Sequence, residues 1–213
     1  MIVSERAIFF DAVGTLFRVR GGVGNVYSGL LRKYGVDVTS QQIDVAFIRY
    51  FSSQPPLAFD PALSERERNQ LEQAWWRSLV RQVLGQSARF SRFDEYFNEL
   101  FEYFRYASAW ELFEDTPRAL EDLSRAGIRL GIISNFDSRI DDVLRELDLA
   151  RYFASIHISS RVGAAKPSPE IFKHAIAATS LPAHQCWHIG DSLKDDVEGA
   201  RRAGMRAALV KKC

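Results

Sequence analysis

The 213 residues, 46% of them hydrophobic, are enough for one well-packed core, or for a core domain carrying a smaller insertion. Lys and Arg total 28 against 27 Asp and Glu, a net charge of +1 with no long run of one sign; this removes any general electrostatic attraction to nucleic acid or a membrane surface. A small-molecule partner is the expectation. The opening Met1-Ile2-Val3-Ser4-Glu5-Arg6 leads into an apolar run too short for a signal peptide or a spanning helix, so the chain is read as cytoplasmic. Cys186 and Cys213 lack metal-ligand spacing, and no structural disulfide is expected between a strand residue and the end of the chain.

The first element is Ala7-Ile8-Phe9-Phe10, an apolar run of strand length closed by Asp11 and the turn-capable Gly14, which predicts a buried central strand. From residue 21 to 106 the pattern changes. Val26, Tyr27, Leu30, Leu31 and Tyr34 recur at helical spacing, as do Ile43, Ala46, Phe47 and Tyr50, and later Leu71, Trp75, Leu79 and Val83; Ser52-Ser53-Gln54-Pro55-Pro56 marks a break. No parallel strand is predicted here. The segment reads as a helical insertion, and its aromatics, Trp75, Trp76, Phe90 and Phe93 among them, read as packing between helices rather than a ligand box.

In the C-terminal half, Leu130–Ile133, Cys186–Ile189 and Ala207–Val210 are further apolar runs of strand length, with Ser155–Ile158 a weaker one. Thr116-Pro117 and Ser168-Pro169 are helix starts, a cap followed by proline at the first helical position, and the first of these helices ends at Gly127. Strands alternating with such helices predict a doubly wound α/β sheet, mainly parallel, which binds ligands at the carboxyl ends of its strands.

Four places carry the chemistry. Asp11, in Asp11-Ala12-Val13-Gly14-Thr15-Leu16-Phe17, ends a buried strand, where a carboxylate needs hydrogen bonds, a metal or a solvent crevice; a structural cap is the alternative. Ser134-Asn135 follows a strand and offers a hydroxyl and a backbone N–H to phosphate oxygens, although this is also ordinary turn chemistry. Lys166-Pro167 places an ammonium just before a helix, with proline favouring an extended lysine. Finally, His188-Ile189-Gly190-Asp191 through Asp195-Asp196 clusters carboxylates beyond a strand, a pattern that suits a hard cation; an acid-rich first helical turn is the alternative.

Together and in this order, these sites resemble the haloacid dehalogenase (HAD)-like hydrolase superfamily, whose motifs are a D-x-D-x-T-like loop, a Ser/Thr, a Lys and a G-D-x-x-x-x-D-like acidic loop. The resemblance spans Ala7 to Met205 and points to the subfamily with a helical cap inserted after the first motif, subfamily IA. Asp11-Ala12-Val13-Gly14-Thr15-Leu16, Ile133-Ser134-Asn135-Phe136-Asp137 and the Trp75-Trp76 pair look closest to its REG-2-like or HDHD3-like branch. The resemblance implies a HAD-like, Rossmann-like core from residues 1–20 and 107–213 and an α-helical cap from 21–106. It further implies Asp11 as nucleophile, Lys166 as its charge partner, and Ser134, Asn135 and Thr15 as phosphate-binding residues. Mg2+ would be held by Asp11, the Val13 carbonyl and Asp191, with Asp196 orienting metal water or Lys166 and Asp195 as its alternative.

One departure stands out against the family pattern. Val13 occupies the position where the family's phosphatases carry a second aspartate, which protonates the leaving group and then activates water, and valine has no proton to give. The expected activity is Mg2+-dependent hydrolysis of a phosphate ester or acyl phosphate on a small phosphorylated or anionic substrate. A 2-haloacid dehalogenase and a non-catalytic binding module of the same fold are the alternatives. Arg18 and Arg20, after the first motif, read as solvated hinge residues or as contacts to an anionic substrate.

Overall fold

The computed structural model describes residues 6–211; the N-terminal Met1–Glu5 stretch and Cys213 lie outside the described residues. In chain order the elements are β1 (Ala7–Phe10), β2 (Phe17–Val19), α1 (Val23–Lys33), α2 (Ser40–Ser53), α3 (Glu65–Leu84), α4 (Phe93–Tyr103), β3 (Trp110–Leu112) and α5 (Thr116–Arg125). There follow β4 (Arg129–Ser134), α6 (Ile140–Glu146), β5 (Phe153–Ile158), α7 (Ser159–Val162), α8 (Pro169–Ala177), β6 (Cys186–Gly190), a π-helical turn over Leu193–Glu198, α9 (Gly199–Arg202) and β7 (Arg206–Leu209).

Five strands form a parallel sheet in the order β5-β4-β1-β6-β7. The apolar run of β1 places it at the centre, because a parallel strand covered on both faces needs hydrophobic residues in both phases of the pleat. Phe10 and Ile132 enter one core with Leu120 of α5 and Ile140 and Val143 of α6. Phe9 and Ile133 point the other way, into a second core with Ile171 and Phe172 of α8 and Ala200 of α9. The sheet is therefore doubly wound, and the chain reverses its direction of travel between β1 and β6. That reversal opens a crevice at the carboxyl ends of these two strands.

Helices α1 to α4 surround a separate apolar cluster that includes Tyr27, Leu31, Ile43, Leu79, Tyr96 and Phe97. Capping boxes start α2 (Thr39 with Gln42) and α3 (Ser64 with Glu67), and α2 ends at the expected break. The aromatic surplus is spent here: Phe93 is buried, and Trp75, Trp76 and Phe90 pack against the cluster. Where the chain leaves and re-enters the sheet, β2 and β3 pair antiparallel with Phe17 opposite Leu112 and Val19 opposite Trp110. No strand was expected at either place, since three residues are too few to show a period. The weak expectation for β5 is a full six-residue strand, and β7 starts one residue earlier than its apolar run. No helix among the described residues is long and apolar enough to cross a membrane.

On the edge strand β5, His157 is buried against Phe9, with Nδ1 3.0 Å from Nδ1 of His174 and Nε2 3.0 Å from Ser155 Oγ. Burial, then the neighbouring His174, pushes the His157 pKa down to about 4. Below pH 6.5 the unfolded chain takes up a proton that the native imidazole refuses, so stability present above that pH is lost as pH falls towards the native value. The urea-unfolding free energy should drop between pH 6.5 and pH 4, with His157 contributing up to about 3 kcal/mol of the loss. In His157→Leu the pH dependence over this window should be correspondingly shallower.

Candidate active site

Asp11 extends β1 by one residue, its backbone N–H donating to the Ile189 carbonyl at 2.9 Å, so its side chain emerges at the crevice between β1 and β6. It is only 7% exposed. Its Oδ1 accepts from Ser134 Oγ at 3.0 Å and from Lys166 Nζ at 2.6 Å. Lys166 also donates to Asp196 Oδ1 at 2.6 Å, and is thus shared between two carboxylates with 6% exposure. The side chain of Asn135 fixes the lysine's main chain, accepting from Lys166 N–H at 2.8 Å and donating to its carbonyl at 3.0 Å. Lys166 lies in a turn rather than an extended segment, and its bond to Pro167 is cis.

Asp191, on the turn after β6, completes the group. Gly14 lets it approach the first loop: φ is +92° there, and a Cβ at this position would lie 2.5 Å from Asp191 Oδ2. Thr15 Oγ1 donates to Asp191 Oδ1 over a long 3.4 Å, and Val13 pairs with Phe17 in an isolated bridge. Asp11, Ser134, Asn135, Thr15, Lys166, Asp191 and Asp196 thus occupy one locality, delivered by three strand ends and the loop before α8. Asp195 does not take the place of Asp196: its N–H is occupied by Ser192 Oγ, and Lys166 pairs with Asp196.

Burial alone would lower the Lys166 pKa, but the charges of Asp11 and Asp196 outweigh it and hold the ammonium above its ordinary value. Burial would raise Asp196, yet the His188 hydrogen bond and the Lys166 charge bring it well below the usual carboxylate range. Asp191 is raised, first by partial loss of solvation and then by the charges of Asp11 and Asp196. Oxygens of Asp11, Asp191 and Asp196 lie within 4.8 Å of one another. Three carboxylates facing one ammonium leave a negative surplus, and this oxygen donor set fits a hard divalent cation.

Three contributions escaped the sequence reading. His188 Nε2 lies 2.8 Å from Asp196 Oδ1; the signal was its place two residues before Gly190, on the same face of β6. The Asn135 amide is the second. Arg18 and Arg20 do not reach the carboxylates, for Arg18 pairs with Glu111 across the β2–β3 ribbon and Arg20 donates to the Trp110 carbonyl.

The third is a grip by the helical segment on the loop after β4. Arg139 donates to both oxygens of Asp137, at 2.9 and 2.6 Å, with the pair 5% and 0% exposed. From α3, Trp76 Nε1 donates to Asp137 Oδ2 at 2.6 Å, and Arg139 donates to the Phe101 carbonyl of α4 while lying 3.8 Å from the Phe101 ring centre. Glu72 of α3 accepts from Ser138 N–H at 3.1 Å and Ser138 Oγ at 2.9 Å. Burial would raise Asp137, but Arg139 outweighs it and holds the carboxyl below its ordinary value. Asp137→Ala should therefore strand a buried guanidinium and cost about 3–5 kcal/mol. Trp76→Phe, removing one charge-assisted bond, should cost about 1.5–3 kcal/mol, both read by urea unfolding.

A model of the haloacid dehalogenase-like hydrolase family matches residues 5–204. Haloacid dehalogenase-like hydrolase domain-containing protein 3 of Danio rerio is 30% identical over 212 residues, covering 99% of this chain and 86% of its own. Rhythmically expressed gene 2 protein of Drosophila melanogaster is 26% identical, with 96% of this chain and 82% of its own covered. Among solved structures, a HAD phosphatase from Thermococcus onnurineus superposes with a TM-score of 0.63 at 25% identity, over 97% of this chain and 86% of that one. With the parallel sheet and the strand-end carboxylates, these likenesses agree, and the chain belongs to the haloacid dehalogenase-like hydrolase family, on its REG-2-like or HDHD3-like branch.

Proposed function

We propose that this protein is a Mg2+-dependent hydrolase of acyl phosphates and phosphate esters with good leaving groups, acting through an aspartyl-phosphate on Asp11. The observation that carries this reading is the Asp11 carboxylate at the end of the central strand, with Ser134 and Lys166 both donating to Oδ1 at 3.0 and 2.6 Å. A carboxylate so held is fixed in direction, and the ammonium offsets the charge of a dianionic substrate drawn up to it.

In the first step an Asp11 oxygen forms a bond to phosphorus, and the bond to the leaving group breaks, that group departing with the electron pair. In the second, water displaces the carboxylate from phosphorus and phosphate leaves. Ser134 Oγ, the Asn135 N–H and Thr15 hold the phosphoryl oxygens in both. Asp11, the Val13 carbonyl and Asp191 are the residues that would hold Mg2+, while Asp196 serves Lys166. When bound, the ion supplies positive charge at the phosphoryl oxygens. Residues 21–106 act as the cap that contacts the rest of a small, anionic substrate and restricts water.

Val13 sets the substrate class. Without a carboxyl there, nothing at this position protonates a basic alkoxide, so acyl and aryl phosphates are favoured over alkyl phosphates. The acidic cluster also argues against a halide-releasing reading, since it repels rather than receives a halide.

With Mg2+, acetyl phosphate and p-nitrophenyl phosphate should be turned over, EDTA should abolish this, and Asp11→Asn should leave no activity. Failure of the purified protein on both substrates and on a panel of metabolite phosphates would overturn the proposal, and chloride release from 2-chloropropionate would replace it with a dehalogenase. Installing the missing acid, Val13→Asp, should raise the rate on alkyl phosphates by about 10²–10⁴-fold while changing acetyl phosphate turnover little.

A further inference from the structure

We infer that His188 is a positioning residue that divides the acidic cluster, holding Asp196 on the Lys166 side and withholding it from the cation bound by Asp11 and Asp191; this rests on the Mg2+ reading given above.

Strand β6 carries both residues that receive Asp196. Residues 188 and 190 project to the same face of the strand, and the turn that follows lays Asp196 across them. At Gly190 there is room because there is no side chain: a Cβ would stand 2.1 Å from Asp196 Cγ. At His188 there is a donor, with Nε2 2.8 Å from Asp196 Oδ1. Strand β6 is thus a socket for one carboxylate, a void beside a hydrogen-bonding group. The Ser192 N–H closes it from the turn, donating to Asp196 Oδ2 at 2.9 Å.

The donors on Asp196 decide what it can do. Oδ1 receives both Lys166 and His188, and Oδ2 receives a main-chain N–H, so both oxygens are engaged by donors even though Asp196 stands close enough to Asp11 and Asp191 to join a three-carboxylate site. The imidazole itself has nowhere to go. It is 0% exposed, meets the Phe172 ring edge-on at 5.2 Å between centres, and sits opposite Phe9 in the sheet register.

A carboxylate only accepts, so Nε2 carries the hydrogen in this contact. Nδ1 is then buried with no hydrogen-bond partner. An apolar residue would suit this strand position better on packing grounds, as Phe9 and Ile133 do on the same core. A histidine kept there with one nitrogen unsatisfied is explained by the bond made by the other.

The test uses the whole protein and three variants, His188→Leu, His188→Asn and His188→Gln, with Mg2+ binding followed by calorimetry and p-nitrophenyl phosphate turnover followed at saturating Mg2+. Leucine removes the donor and asparagine is too short to reach Oδ1, so either releases Asp196 towards Asp11 and Asp191. Both should bind Mg2+ several-fold more tightly than the parent and lose about tenfold in kcat with KM within about twofold. If the leucine variant does not fold, the asparagine variant carries the same expectation. Glutamine, whose amide reaches the Nε2 position, should return both quantities to within about threefold of the parent. In an Asp196→Asn background, His188→Asn should change neither.

A histidine that merely fills space would weaken stability without tightening Mg2+. Variants with unchanged Mg2+ affinity, or an equal loss of kcat in the Asp196→Asn background, overturn the inference, as does a parent protein that binds no Mg2+. If the parent binds Mg2+ but hydrolyses no phosphate, the proposed reaction falls, and the inference is decided by the Mg2+ affinities alone.

Discussion

A single ammonium shared between two buried carboxylates governs this structure. Lys166 joins residues 155 positions upstream and 30 downstream, and none of the three charges is affordable alone in so dry a place. The surrounding details follow from that balance. Asn135 clamps the lysine's main chain so that the side chain has one direction to take, and Gly190 lets Asp196 tuck under it. Asp191 remains on the exposed side with its carboxyl raised, the one acid of the group that lacks a compensating cation of its own. The hydrophobic sheet beneath fixes the anchor points, since each of the strands β1, β4 and β6 ends at the same edge.

Convergence at that edge is why so much was legible in the chain. Asp11, Ser134 and Asp191 each follow an apolar run of strand length, and Lys166 precedes a proline-started helix; once the runs are taken as parallel strands, their trailing residues must meet. The preference for Asp196 over its neighbour Asp195 was legible too, from the G-D-x-x-x-x-D-like spacing, and it is Asp196 that pairs with Lys166. The donors to Asp196 and Lys166 were hidden. His188 reads as one more member of a buried strand, and the Asn135 side chain as turn chemistry, because their partners are 8 and 31 residues away.

The helical segment gives the same lesson at lower resolution. Its periodicity announced helices and its aromatics announced packing, and both are present. Trp76, however, does two things at once: its ring packs with Phe51 and Trp75, and its N–H serves Asp137. An aromatic count cannot separate these uses. Nor could the short β2–β3 ribbon be read, since its pairing comes from chain geometry at the two crossings rather than from any pattern within either strand.

The grip on Asp137 and Ser138 has a mechanical consequence. Only three peptide units separate Ser134, which donates to Asp11, from Asp137, which is tied to Trp76 and Arg139. At roughly 3.3–3.6 Å per residue this tether is at most about 11 Å long even when fully drawn out, so it has little slack to absorb a displacement. A shift of α3 relative to the sheet must either break charge-assisted bonds in a water-poor junction or drag the Ser134 loop along. The orientation of the helical segment is therefore imposed on the hydroxyl beside Asp11 through a lever of three residues, independently of the ribbon by which that segment is joined to the sheet.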